Sequence, residues 1–366
     1  MRSVALKTVA AAAALVAGSG SLVVDAALPP QKCTAGPALK HWPPAAAKAL
    51  NAMIARNAHN GSYAVFDMDN TSYQFDLEES LLPYLENKGV LTRNTMDPSL
   101  KIVPFRDTPS HNESLYSYYN RLCAIEDAVC YPFAAQVFSG IPLRDLKRHV
   151  DDLMALNGTV PTTMFDGDDK VVKTEVSPPK VFRGQVELYN KLMNNGIDVY
   201  VISAASEELV RMVASDPKYG YNVPPEKVIG VSLLMKNLTS GAVTAARKQI
   251  ADGDYSESAN LDLVMTPFLW TPATWKTGKW AAILSYIDEW KRPILAGGDT
   301  PDSDGPMIFH GVDVERGGIH LWINRKEKYW KQINEMRTNF AAAQRREGVP
   351  VTADKNWVDV TPKDIL

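Results

Sequence analysis

Two acids close the apolar run Tyr63-Ala64-Val65-Phe66: they are Asp67 and Asp69, in Asp67-Met68-Asp69-Asn70-Thr71. In an extended chain, residues i and i+2 point the same way. Anions held that close need a cation or a shared proton. A hard divalent ion such as Mg2+ suits carboxylate oxygens. Asp-X-Asp is also a frequent pattern, and by itself it reads equally as a polar capping turn. Further along, Val201-Ile202-Ser203-Ala204-Ala205-Ser206 ends a β-branched run in hydroxyls ahead of a helix start. Ser203 can hold a phosphate oxygen there together with backbone N–H groups, or it and Ser206 simply cap the helix. Gly297-Gly298-Asp299-Thr300-Pro301-Asp302-Ser303-Asp304 places three acids behind two glycines that permit close backbone approach. Lys279 follows Gly278 at a helix start, where a cation opposes the helix dipole. A phosphate and nearby carboxylates would offset that, whereas a solvated surface lysine would need no partner.

The elements that must position these residues alternate. Helical patterns cover 45 to 58, 76 to 88, 113 to 126, 131 to 139, 142 to 156, 180 to 195, 206 to 215, 278 to 290 and 326 to 346. Strands are expected at 62 to 68, from Ile197 to Ser206, at Ile294 to Gly297 and at Gly317 to Arg325. The stretch from Val228 reads as a strand and then a hairpin turning at Ser240-Gly241. Strands alternating with helices indicate an α/β fold with a parallel sheet. Ligands bind such sheets at the carboxyl ends of the strands, where all of the residues above fall.

Composition removes other classes. The chain has 366 residues, 45% hydrophobic and 22% charged, with a net charge of −3. This is ordinary globular composition, and no basic surplus supports a nucleic-acid partner. The six histidines, at 41, 59, 111, 149, 310 and 320, form no metal-ligand spacing. Beyond residue 25 no apolar run reaches the ~18 residues of a membrane span.

Residues 1 to 26 read as a secretory signal peptide: Arg2 and Lys7, then an uncharged apolar stretch to Val24, then Val24-Asp25-Ala26 before the cleavage point. The mature chain is therefore expected to be secreted or periplasmic, with no stable membrane insertion. Export permits disulfides. Cys123 and Cys130 would lie roughly 10 Å apart in one unbroken helix, too far to bridge, so a bond between them requires a turn. Cys33 is expected to be unpaired.

Taken together and in this order, the four motifs resemble those of the haloacid dehalogenase superfamily. The resemblance runs from about 62 to 325, and Asp69 points to the superfamily's phosphatases. The motif wording is also similar to that of the secreted bacterial phosphorylcholine phosphatases. The resemblance implies a Rossmann-like parallel sheet core at 27 to 78 and 176 to 366, and a helical cap domain at 79 to 175 inserted after the first motif. The spacing agrees: 136 residues separate Asp67 from Ser203, whereas a strand, helix and return strand need only about 30 to 40. By motif position, Asp67 is the nucleophile and Asp69 the general acid and base. Ser203 and Lys279 hold the phosphoryl group. Mg2+ is held by Asp67, the Asp69 carbonyl and Asp299, and Thr71, Asp302 and Asp304 support the site. The expected partner is a small phosphate monoester, phosphorylcholine ahead of phosphoserine, phosphoethanolamine or a broad range. Glu78, Glu79 and Tyr73 are candidates for a cationic head group, beside aromatics such as Tyr116, Tyr118, Tyr119, Trp270 and Trp275. A binding protein for choline-like cations is the non-enzyme alternative.

Overall fold

Six strands form one parallel sheet: β1 (Tyr63–Phe66), β2 (Asp198–Ser206), β3 (Val228–Val231), β4 (Leu295–Gly298), β5 (Ile319–Ile323) and β6 (Trp357–Val360), in the order β6-β5-β4-β1-β2-β3. They belong to a computed structural model that describes residues 36–168 and 170–366. The expected leader, its cleavage point and Cys33 lie outside the described residues. β1, β3, β4 and β5 are buried along their whole length, as expected for strands covered on both faces. Alternate residues of β1 enter different cores. Ala64 and Phe66 join a cluster with Val199, Val201 and Leu321, while Tyr63 and Val65 join Ile202, Ala296 and Trp322 on the other face.

The chain leaves β1 for β2 and β3 on one side, then returns to β4 on the other. β1 and β4 therefore flank the switch point of the sheet, where the carboxyl ends of parallel strands open a crevice. Register brings the motif ends to one level. Phe66 pairs with Gly297 on one side and with Val201 on the other, so Asp67, Asp299 and Ser203 emerge together.

The first face is covered by α1 (Leu77–Asn87), α2 (Leu115–Ile125), α3 (Asp127–Gln136) and α4 (Leu143–Met154). Leu77, Leu81, Leu122, Phe133 and Leu146 share one continuous apolar cluster with Val199 and Val201 of the sheet. The span from 79 to 175 also carries an antiparallel hairpin, Val160–Phe165 with Val171–Val176, where only helices were expected. Its turn closes on Asp166, whose Oδ1 accepts the Asp168 and Lys170 amides. The anticipated hairpin at Ser240-Gly241 forms between Leu233–Lys236 and Val243–Thr244, and Val264–Leu269 joins it as a third strand. Cys123 and Cys130 are bridged, with Cα atoms 4.9 Å apart. The required break lies at Glu126, whose extended backbone (φ −173°) separates α2 from α3.

Three further helices complete the site: α5 (Thr277–Tyr286), α6 (Pro301–Gly311) and α7 (Glu327–Arg346). Among the described residues no helix is long and apolar enough to cross a membrane.

Candidate active site

Lys279, in the first turn of α5, is fully buried between two carboxylates. Its Nζ lies 2.6 Å from Asp67 Oδ1 and 2.6 Å from Asp304 Oδ1. This resolves the unfavourable dipole position noted in the sequence. Burial alone would lower its pKa, but Asp304 and Asp67 overcome this and hold the ammonium charged.

Asp304 serves both sides. Its Oδ2 accepts the amides of Asp299 and Thr300 at 2.8 and 2.9 Å, pinning the turn into α6. A Cβ on Gly298 would sit 2.6 Å from that oxygen, so the turn requires glycine. Asp299, 1% exposed, accepts from Thr71 Oγ1 and Thr300 Oγ1, both at 3.0 Å, and pairs with the Arg325 guanidinium. Buried carboxyl oxygens of Asp67, Asp299 and Asp304 converge within 4.8 Å of one another. Burial, followed by repulsion from Asp304, drives the Asp67 carboxyl up to about 8 against the opposing pull of Lys279. Three convergent buried carboxyl oxygens are the donor set of a hard dication, which would reverse the shift on Asp67. The site therefore fits a hard divalent cation, with the Asp304 side chain joining those of Asp67 and Asp299 in the cluster.

The Asp69 side chain turns elsewhere. Its Oδ1 accepts the Tyr73 hydroxyl at 2.7 Å and the Leu77 amide at 2.9 Å. Burial, then Asp76, keeps its carboxyl well above the usual carboxylate range, so it can carry a proton. Tyr73 is fully buried and does not line the cavity; it belongs to Asp69 rather than to a head-group pocket. Ser203 is fully buried at the end of β2. Its Oγ accepts the Ala205 amide at 3.2 Å; Ser203 itself does not line the cavity and lies directly behind the wall that Ala204 and Ala205 form. Asp302 is not brought into the site: it is exposed, and its Oδ1 accepts from Gln332 at 2.7 Å.

Above these groups lies a cavity of about 220 Å³. Asp67, Asp69, Lys279 and Asp299 form its floor, while Glu78, Glu79, Tyr119, Tyr131 and Ala134 reach it from α1, α2 and α3. Glu78 is 6% exposed, accepts the Ser206 amide at 2.7 Å and is raised by burial to about 8. Glu79 is raised to about 7 by burial and Asp76, with Arg325 and Lys326 opposing. Tyr116, Tyr118, Trp270 and Trp275 are absent from the lining. Arg325, Lys326 and Tyr329 complete the wall and were not anticipated. The one available signal was a basic pair directly after a strand, at Asn324-Arg325-Lys326.

No protein-family model matches the chain. It is 65% identical to phosphorylcholine phosphatase of Pseudomonas aeruginosa over 327 residues, which cover 89% of this chain and 93% of the relative. The chain belongs to the phosphorylcholine phosphatase family. By that membership it is a phosphoric monoester hydrolase. A solved structure of a conserved protein of unknown function from Anaerococcus prevotii shares the fold, with a TM-score of 0.58 at 18% identity over 88% of this chain and 96% of that one.

Proposed function

We propose that the chain is an exported, Mg2+-dependent phosphatase acting on phosphorylcholine through an aspartyl-phosphate at Asp67. The substrate rests on the 65% identity to the Pseudomonas aeruginosa enzyme. The chemistry rests on one observation: Lys279, Asp67 and Asp299 sit at the floor of a cavity sized for a small ligand, with the buried Asp304 carboxylate converging on them from beneath.

Asp67 and Asp299, with the Asp69 carbonyl, would hold Mg2+. Bound there, it neutralises the acids and withdraws charge from the phosphoryl oxygens. Asp67 attacks phosphorus, forming one P–O bond while the bond to the choline oxygen breaks. The Asp69 proton passes to that leaving alkoxide. Water then attacks the aspartyl-phosphate, Asp69 takes its proton, and inorganic phosphate leaves. Ser203 donates to a phosphoryl oxygen. Lys279, fixed by Asp304, offsets charge on Asp67 and on the phosphoryl group.

The trimethylammonium group cannot donate hydrogen bonds and needs anionic or aromatic faces. Glu79, with Tyr119 and Tyr131 beside it, supplies both on the wall opposite the floor. The segment 79 to 175 acts as the cap that closes this wall over the core at 27 to 78 and 176 to 366. Residues 1 to 26 direct export to the periplasm or beyond, where the Cys123–Cys130 bridge is stable.

Initial rates on phosphorylcholine, phosphoethanolamine, phosphoserine and p-nitrophenyl phosphate, with Mg2+ and with chelator, test this reading. Phosphorylcholine should give the highest kcat/KM, and chelator should abolish turnover of all four. Glu79→Gln should raise KM for phosphorylcholine about tenfold and spare p-nitrophenyl phosphate, since a lost ion pair matters only to a cationic substrate. Equal kcat/KM across the panel would point to a broad-range phosphatase, and choline binding without turnover to a binding protein.

A further inference from the structure

Ser72 lies in the turn that follows the motif acids, and it is fully buried. Its Oγ donates to the Asp67 carbonyl at 2.7 Å, so the peptide of Asp67 is held by a hydroxyl five residues on. A serine has one hydroxyl proton, and this bond commits it. The Tyr189 hydroxyl, 2.6 Å from the same Oγ, is therefore the donor to Ser72. Two hydrogen bonds in series run from Tyr189 through Ser72 to Asp67. Other side chains grip the same turn from behind. Tyr221 Oη donates to the Ser72 carbonyl at 2.5 Å, and Gln185 Nε2 donates to the Thr71 carbonyl at 2.8 Å. Gln185 and Tyr189 are four residues apart on the helix Arg183–Asn194, hence on one face of it. Gln185, Tyr189 and Tyr221 are fully buried, and the Tyr189 ring lies 4.5 Å from that of Phe66, the residue before Asp67. Inside the turn, the Met68 carbonyl is shared by the Thr71, Ser72 and Tyr73 amides at 3.3, 2.8 and 3.4 Å, and only the Ser72 bond is in the usual range.

We propose that Ser72 is a positioning residue for the nucleophile, and that Tyr189 acts on Asp67 through it. The inference rests on the reaction proposed above, because it takes Asp67 as the attacking group. That group has to meet phosphorus in line, within a fraction of an ångström. The Asp67 carboxylate lines the cavity, so its aim depends on Lys279 and on the backbone it hangs from. That backbone is held at both ends. The Asp67 amide donates to the Gly297 carbonyl at 3.0 Å, as the last bond of the sheet, and its carbonyl accepts from Ser72. Ser72 thus takes over where the strand stops. The grip extends to the fourth motif, since Thr71 Oγ1 donates to Asp299 Oδ1 at 3.0 Å while Gln185 holds the Thr71 carbonyl. Hydrogen bonds in series inside a dry core strengthen one another, and locked supports of this kind keep a reacting group on target.

The test compares kcat and KM for phosphorylcholine and p-nitrophenyl phosphate in Ser72→Ala, Tyr189→Phe and the double variant. Ser72→Ala frees the Asp67 carbonyl and should lower kcat about 10- to 100-fold on both substrates, with KM within about threefold of wild type. Tyr189→Phe keeps the ring against Phe66 and removes only the donor to Ser72. It should lower kcat about three- to tenfold, again on both substrates. Because Tyr189 acts through Ser72, the double variant should be no slower than Ser72→Ala alone. Losses that multiply in the double variant would mark two separate structural contributions and overturn the series. Full kcat in Ser72→Ala, or a rise in KM at unchanged kcat, would overturn the positioning role. Tyr189→Phe with full kcat would also overturn the proposal, so it does not depend on Ser72→Ala folding. A wild-type protein inactive on both substrates would overturn the underlying reaction instead.

Discussion

The Tyr73 hydroxyl donates to Asp69 Oδ1 at 2.7 Å, the same oxygen that takes the Leu77 amide at 2.9 Å. Two donors on Oδ1 leave Oδ2 as the oxygen that, in the proposed mechanism, carries and passes the proton. Tyr73→Phe removes one donor without touching the cavity wall. It should lower kcat about tenfold with little change in KM, the pattern of a lost contribution to proton transfer. The fall should be the same for phosphorylcholine and p-nitrophenyl phosphate. Steady-state kinetics on both substrates checks it, and an unchanged kcat would release Tyr73 from this role.

Lys279 is the only cation among the described residues that sits between Asp67 and Asp304, and both pairs are buried. Lys279→Met would leave two uncompensated acids facing each other. Breaking one side of a buried ion pair costs about 3–5 kcal/mol. The urea midpoint of the metal-free variant should fall accordingly, and Mg2+ should recover part of the loss. A midpoint equal to that of wild type would contradict the pairing.

Mg2+ should stabilise the wild-type fold because the unfolded chain lacks the convergent site. At a hundred times its dissociation constant, a ligand contributes about 2.7 kcal/mol. Asp299→Asn removes one donor of the cluster and should abolish most of the Mg2+-dependent rise in Tm. Calorimetric titration of both proteins measures the same loss as affinity. Equal Mg2+ responses would place the ion elsewhere.

Glu78 also predicts a pH dependence of stability. Burial raises its carboxyl to about 8, from an ordinary value of about 4.3. Between those values the folded protein binds a proton that the unfolded chain has released, so this contribution falls as pH rises. It is complete below the unfolded value and lost above the folded one. Glu78→Gln cannot titrate. The urea midpoint of metal-free wild type should therefore drop relative to Glu78→Gln between about pH 5 and about pH 8. A constant difference across that window would show that Glu78 is not held in its neutral form.

The chemistry was legible wherever it was written locally. Asp67 and Asp69 declared themselves by a two-residue spacing after an apolar run, and Asp299 and Asp304 by clustering behind Gly298. Lys279 was legible as a misplaced charge. What the sequence hid was long-range pairing. Arg325 stands 26 residues from Asp299, and after a strand it reads as a solvated base. Asp302 shares the local signal of Asp304 but points outward, because helical geometry turns i and i+2 to different sides. The same effect separates Glu78 from Glu79, which only burial distinguishes. Some of the strands were missed for a related reason. β6 is four residues long, and half of the Val160–Val176 hairpin exposes alternating polar side chains, so neither carries a long apolar run. The break at Glu126 that allows the disulfide has no glycine or proline to announce it.

The central claim is that Asp67 carries the phosphoryl group. Rapid-quench mixing of the protein with phosphorylcholine and Mg2+, followed by borohydride reduction and peptide mass spectrometry, tests it most directly, because borohydride converts an aspartyl-phosphate to homoserine. The account predicts homoserine at position 67 during turnover, and none when chelator replaces Mg2+. Sustained release of phosphate with position 67 recovered only as unmodified aspartate, or with homoserine at another acid, would contradict it.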